Sequence, residues 1–162
     1  MHQIIDFFVN LNLPKEVVTL IISMFPIIEI RGSLPVAVSL LKMPLWQAYL
    51  WSVIGNSLII IPFILFLEKF SDYLIKRSKF FANFFEWWFK RARKNKDFMQ
   101  KYEALGLAIF VAIPLPVTGA WTACVLAYIF GIKKRYALPA IFLGVAVAGL
   151  IVMAITVGVI KF

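Results

Sequence analysis

A carboxylate and a guanidinium lie two residues apart, at Glu29 and Arg31, within an apolar stretch that Pro26 and Pro35 enclose. Ionised side chains are costly inside a membrane, so they persist mainly where they face a cavity, pair with each other or meet a substrate. An arginine suits bidentate recognition of phosphate or carboxylate, and a desolvated carboxylate can take up a coupling ion. We therefore expect Arg31 to bind substrate and Glu29 to bind H⁺ or Na⁺. A purely structural ion pair is the alternative.

A second break in the apolar pattern contains Pro114 and Pro116 and carries no charge. A half-helix that starts after each break, near residues 33–36 and 118–121, would present N–H groups with partial positive charge to an anion. Trp121 and Asn56 each have an alternative to substrate binding. The alternative for Trp121 is a packing role, and the alternative for Asn56 is a hydrogen bond between helices. The expected substrate-binding residues come from both breaks and from one mid-span position: Arg31, Gly32, Ser33, Asn56, Thr118, Gly119, Trp121 and Thr122.

The composition places these residues in a membrane. The chain has 162 residues, of which 62% are hydrophobic, and its mean hydropathy is +0.90. A soluble core of this size cannot bury so much apolar surface. We expect an all-α integral membrane protein that forms a single multi-pass domain over residues 1–162. We expect it in the plasma membrane, in contact with membrane lipids, and without a removable signal peptide.

Several functional classes are disfavoured by the residue types present. The net charge of +9 comes from bases beside apolar spans, where headgroups and orientation explain them, so nucleic acid is not an expected partner. A single cysteine, Cys124, and a single histidine, His2, disfavour a disulfide or a metal site. Catalytic motifs such as HExxH do not occur. We expect no enzyme activity, metal or cofactor.

The hydropathy pattern divides the chain into six segments. Residues 3–13 are too short to cross a bilayer and predict an interfacial helix, and residues 68–104 predict a basic, aromatic amphipathic segment. Residues 45–67 and 136–160 each predict a full transmembrane helix. Residues 17–41 and 105–131 are broken apolar segments. Since each half of the chain has a broken segment, a charged turn and a long span, the pattern indicates an internal repeat.

The distribution of basic residues favours one topology for the broken segments. If both segments crossed the membrane, the basic residues of 68–104 and those of 131–135 would lie on opposite faces. If both are re-entrant helical hairpins, thirteen of the 17 basic residues share the cytoplasmic face, as the positive-inside rule favours. This predicts two inverted repeats whose hairpin tips meet, with both termini facing outward. Four membrane segments form a thin shell around such a site, so a homodimer is expected.

Two motifs carry a resemblance to known families: Glu29-Ile30-Arg31-Gly32-Ser33-Leu34-Pro35 and Pro114-Leu115-Pro116-Val117-Thr118-Gly119-Ala120-Trp121-Thr122. With them the chain, over roughly residues 17–160, resembles the small multidrug export proteins. It is more distantly similar to the DedA family, whose members have two re-entrant hairpins and are implicated in returning polyprenyl-phosphate lipid across the membrane. Glu29 matches the acid of their first hairpin. The second break lacks the arginines of that family, so only Arg31 could take their role.

These features lead to one functional expectation and two alternatives. The expectation is an ion-coupled transporter of an anionic phosphate, with lipid-linked phosphates among its candidate substrates, that binds its substrate between the two hairpin tips. The first alternative is a proton-coupled exporter of cationic amphiphiles, for which Arg31 is unfavourable because it repels the cargo. The second is a lipid scramblase or a non-transporting membrane-organising protein.

Overall fold

The computed structural model describes residues 13–77, 97–115 and 118–160, and this part of the chain contains α-helices and turns without a β-strand. The predicted all-helical class is confirmed. The expected interfacial helix at 3–13, the centre of the basic segment and Pro116 lie outside the described residues. The helices are α1 (Lys15–Met24), α2 (Glu29–Ser39), α3 (Leu45–Leu58), α4 (Ile60–Arg77), α5 (Asp97–Ala112), α6 (Ala120–Ile129) and α7 (Lys134–Ile160).

Two helical stretches are long and apolar enough to cross a membrane. Leu45–Ser71 has 27 residues and Lys134–Val159 has 26, which correspond to roughly 40 Å of helix. Their outward faces carry exposed apolar side chains, such as Leu58, Phe66 and Leu143. A hydrocarbon environment suits this surface. The first stretch is interrupted at Ile59, between α3 and α4, because Pro62 has no N–H to donate to the carbonyl of Leu58.

The first break lies earlier than the sequence indicated. Helix α2 already begins at Glu29, whose N–H donates to the carbonyl of Phe25 at 2.9 Å, so the break comprises residues 25–28 and contains Pro26. Pro35 lies inside α2 and not at a break. The expected helix start near residues 33–36 was therefore wrong. A proline at this position removes one backbone hydrogen bond, to the carbonyl of Arg31, and the helix continues through it.

The second break agrees with its predicted position. Helix α5 ends at Ala112 and α6 begins at Ala120, with Gly119 as the residue that precedes it and Pro114 in the connection. Upstream, α4 extends to Arg77 and α5 starts at Asp97, so regular helix enters the predicted basic segment from both sides.

The helices of the two halves pack in a corresponding pattern. In each half the first helix packs on the third, α1 on α3 and α5 on α7. The second, short helix of each half packs on the long helix of the other half: α2 on α7, and α6 on α4. The two halves therefore interlock through α2 and α6, which are the helices that follow the breaks.

Glycines and turns also correspond between the halves. A Cβ at Gly55 of α3 would collide with the backbone of Leu20 in α1, and a Cβ at Gly144 of α7 would collide with the backbone of Ala108 in α5. Each glycine thus lets the long helix approach the first helix of its own half. After α2 and α6 the chain turns through left-handed residues, Lys42 with φ 52° and Gly131 with φ 66°.

Candidate functional site

The two breaks are in contact through Glu29 and Arg31, and Glu29 is at the centre of this contact. Its side chain is buried, with 6% of its surface exposed. Its carboxylate lies at the N-terminus of α6, where the Trp121 N–H donates to Oε1 at 3.5 Å. A Cβ on Gly119 would overlap the carboxylate, so the acid reaches this helix end only because residue 119 is a glycine. Negative charge at a helix N-terminus is favourable.

The backbone of Glu29 is strained. Its φ of 46° lies in the left-handed region, which is rare for a residue with a side chain and costs about 1–3 kcal/mol. Such conformations persist where the surroundings determine them, and they cluster at functional sites. Here the conformation starts α2 and directs the acid towards the second break.

Arg31, two residues after Glu29 on α2, also contacts the second break. Its guanidinium donates to the carbonyl of Leu115 and, at 2.9 Å, to the hydroxyl of Thr118. The Thr118 hydroxyl in turn donates to the carbonyl of Ile113 at 2.7 Å. Arg31 thereby ties the second break to the start of α2.

Trp121 makes a third connection at this contact. Its indole Nε1 donates to the carbonyl of Met24 at 3.2 Å, which satisfies a carbonyl at the end of α1. Its ring packs against Phe63 of α4, with ring centroids 4.4 Å apart and planes inclined at 57°. Trp121 therefore has a packing role in the described structure, and it links α1, α4 and α6 around the two breaks.

The other predicted residues lie around this contact at different depths. Ser33, one turn beyond Glu29 on α2, and Asn56 on α3 are each 1% exposed. Gly32 donates its N–H to the carbonyl of Ile28, and a Cβ there would collide with the Ile28 side chain. Thr122 is half-buried on α6. The structure thus brings together Glu29, Arg31, Thr118, Gly119 and Trp121, and it places Ser33 next to them along α2.

The electrostatics of the contact limit what it can bind. The N-terminus of α6 is suited to an anion, and Glu29 already supplies one. Arg31 already uses two of its nitrogen atoms on the second break. A substrate anion would have to replace the Glu29 carboxylate at the amides of α6 and take donors from Arg31. The pair of opposite charges is held by groups of the second half, which carries no charge at its own break.

Two contributors to this region were not predicted from the sequence. The carbonyl of Leu115 accepts from Arg31, and no side-chain pattern signals a backbone acceptor. Ser52 is fully buried on α3, four residues before Asn56 and on the same face. Its spacing from Asn56 could have indicated it.

Comparison with known proteins identifies the family of the chain. A family model described as "Putative small multi-drug export protein" matches residues 29–151. The chain belongs to this family. No curated protein and no solved structure shows a significant match. The part that matches the small multi-drug export model begins at Glu29 and includes Arg31, the second break and the start of α6. Together with the two apolar spans, membership identifies a membrane protein of an export family.

Proposed function

We propose that the protein is an ion-coupled transporter of an anionic, phosphate-bearing substrate, with lipid-linked phosphates as the first candidates. The observation that carries the proposal is the position of Glu29. Its carboxylate occupies the anion-binding end of α6 while Arg31 lies beside it on α2. The protein thus contains a receptor for an anion together with an acid that competes for that receptor.

This competition provides a mechanism for coupling. A proton bound to Glu29 removes its negative charge and weakens its interaction with the amides of α6. A phosphate can then accept hydrogen bonds from those amides and from Arg31. Because one proton and one anion enter together, the net charge of the buried site changes little. Loss of the proton restores the carboxylate, which displaces the phosphate.

We place the site between two re-entrant hairpins of inverted topology. The corresponding helix contacts of the two halves support this arrangement, and so does the positive-inside rule, because this topology would put the basic residues of 68–104 and 131–135 on one face. That face is cytoplasmic in the proposal, and both termini face outward across the plasma membrane. A homodimer would shield the thin shell around the site from lipid.

Transport into proteoliposomes tests the proposal. Uptake of a short-chain polyprenyl phosphate and of inorganic phosphate is measured with and without an inward proton gradient. We expect gradient-dependent uptake that Glu29→Gln and Arg31→Ala both abolish. Glu68→Gln is the matched control, because Glu68 pairs with Lys134 at 2.7 Å on the surface. Unchanged uptake in both site variants would refute the assignment of this pair.

A second candidate function is export of cationic amphiphiles, which the family description favours. A groove of about 350 Å³ has an apolar lining with one acid, Glu103 on α5, and two aromatic rings, Phe110 and Phe130. An apolar lining with one carboxylate fits an amphiphilic cation, and the rings add cation–π attraction. Drug-resistance profiling of cells that express wild type, Glu103→Gln and Glu29→Gln separates the candidates. Resistance that both variants lose would favour export of drugs.

A further inference from the structure

Two buried serines differ from the other buried serines and threonines in the described helices. A hydroxyl in a helix commonly donates to a carbonyl one turn earlier. The hydroxyls that follow this rule are those of Thr19, Ser23, Ser39, Ser71 and Thr156. Ser33 and Ser52 are 1% and 0% exposed, and within the described part of the chain their Oγ atoms have no hydrogen-bond partner. The same is true of Oδ1 of Asn56, which is 1% exposed.

The packing of α2 on α3 places these atoms next to one another. The two helices are joined by residues 40–44 and pack on each other, so they run antiparallel. Ala37 of α2 and Ala48 of α3 belong to one core cluster, and we take them to lie opposite one another. One turn further along each helix come Ser33 and Ser52, and another turn leads to Glu29 and Asn56. With this register the three unpartnered oxygens lie on facing surfaces of α2 and α3, on the side of the pair where Glu29 starts α2.

The second half shows that the fold does not require polar residues at these positions. Gly55 in α3 and Gly144 in α7 have the same role, so positions can be counted from them. Ser52 and Asn56, three residues before and one residue after Gly55, correspond to Ile141 and Val145, which are 0% and 1% exposed. Apolar side chains fill the same positions in α7. The polar atoms of the first half therefore need an explanation other than packing.

The chemistry of the three groups identifies what they bind. A buried polar atom without a partner costs about 1–3 kcal/mol, so three of them together imply a ligand that satisfies them. The two hydroxyls both donate and accept, whereas the Asn56 oxygen accepts only. Water can meet all of these needs. A metal cation would use only the lone pairs, whereas water uses both the lone pairs and the protons of the two hydroxyls.

We propose that Ser33, Ser52 and Asn56 hold ordered water against Glu29, and that this water carries the coupling proton to and from the carboxylate. The inference rests on the proposed function and deepens it, since it selects H⁺ over Na⁺. Within the described residues, the titratable groups that interact with Glu29 are the Arg31 guanidinium on the same helix and the neutral Cys124 thiol on α6. Ser33 and Ser52 are uncharged, as is Asn56, so a proton that crosses this surface passes through water and neutral side chains.

The first test is a structure of the wild-type protein in lipid from a map that resolves ordered water. We expect density within hydrogen-bonding distance of Oγ of Ser33, Oγ of Ser52 and Oδ1 of Asn56. A dry contact at all three atoms would overturn the proposal. This measurement needs no substrate, so failure to find phosphate transport and failure to find the water are separate results.

The second test uses proton flux and thermal stability in proteoliposomes and detergent. Ser33→Ala, Ser52→Ala and Asn56→Leu should lower the proton flux by about 100-fold, the lower end of what a positioned proton-transfer group contributes. They should not raise the melting temperature. Thr156→Val is the control, because its hydroxyl is bonded within α7 at 2.7 Å. Higher melting temperatures with unchanged flux would show that the serines face a dry core.

A third test asks whether these residues bind Na⁺ instead of water. The melting temperature of wild type and Asn56→Leu is measured in sodium chloride and in choline chloride at equal ionic strength. A bound ion stabilises the folded state by an amount that rises with the logarithm of the ion concentration once this exceeds Kd. We expect the same melting temperature in both salts. A sodium-specific increase that Asn56→Leu removes would identify a Na⁺ site and overturn the assignment to water.

Discussion

The carboxylate of Glu29 occupies the volume that a side chain at Gly119 would need. An acid from the first half of the chain and a glycine from the second are thus sterically complementary across 90 residues of sequence. The glycine leaves the amides of α6 accessible, and the acid takes the place of an external anion. This relationship explains why α2 starts with an acid and α6 starts with an alanine.

Gly119→Ala should destabilise the protein by about 1–3 kcal/mol, because the added Cβ displaces the buried carboxylate from its donors. In a Glu29→Ala background the same change should cost much less, and thermal unfolding of the four proteins measures the difference. Gly106→Ala is the control, because no atom lies within 4 Å of a Cβ there and alanine favours helix. Equal losses in both backgrounds would contradict the proposed pairing.

Arg31→Lys should behave like a loss of function although it keeps the charge. A lysine ammonium lacks the planar fork with which Arg31 reaches both Leu115 and Thr118. We expect lower phosphate uptake and a lower melting temperature. Arg31→Ala and Thr118→Val should be non-additive in a double-mutant cycle, whereas Lys15→Ala combined with Thr118→Val should be additive. Additive behaviour of the first pair would exclude the link.

Gly55→Ala and Gly144→Ala should each destabilise the protein by roughly 1–3 kcal/mol, the usual cost of overpacking. Both substitutions bring a Cβ against the backbone of a neighbouring helix, so the whole helix must move. Gly158→Ala, in open space on α7, should be neutral or stabilising. The melting temperatures of the purified variants measure these changes in stability. If Gly144→Ala had no effect on stability while Gly55→Ala destabilised the protein, the two halves would not pack equivalently.

The proposed topology predicts opposite locations for the turns that follow α2 and α6. Single cysteines at Lys42 and Lys133, in a Cys124→Ala background, are treated with a membrane-impermeant thiol reagent on intact cells. We expect labelling from outside at Lys42 and only after permeabilisation at Lys133. Labelling of both residues from one side would indicate that the broken segments cross the membrane, and the re-entrant hairpins would be abandoned.

Composition and apolar periodicity were sufficient to predict the helical class and the long helices. Residues 136–160 were predicted as a span, and α7 covers Lys134–Ile160. The start of α6 was also predicted, since Gly119 interrupts the apolar pattern there. These features depend on local sequence, where proline, glycine and hydropathy have direct conformational effects.

The details of the site depended on contacts that local sequence does not contain. Pro35 resembled a break but lies within α2, because packing of the helix outweighs one lost hydrogen bond. The partners of Arg31 lie 84 and 87 residues away, and one of them is a backbone carbonyl. Ser52 was not predicted as a site residue, because the hydroxyl of a single serine in an apolar span usually donates a hydrogen bond within its own helix.

The exchange of short helices between the halves has a consequence for biogenesis. Helix α2 packs on α7, and Glu29 meets its donors only at α6, yet both partners are synthesised long after α2 leaves the ribosome. During that interval the carboxylate of Glu29 and the guanidinium of Arg31 lack the partners that they have in the folded protein. We therefore expect the first half to reach its final packing only after α6 and α7 have been synthesised.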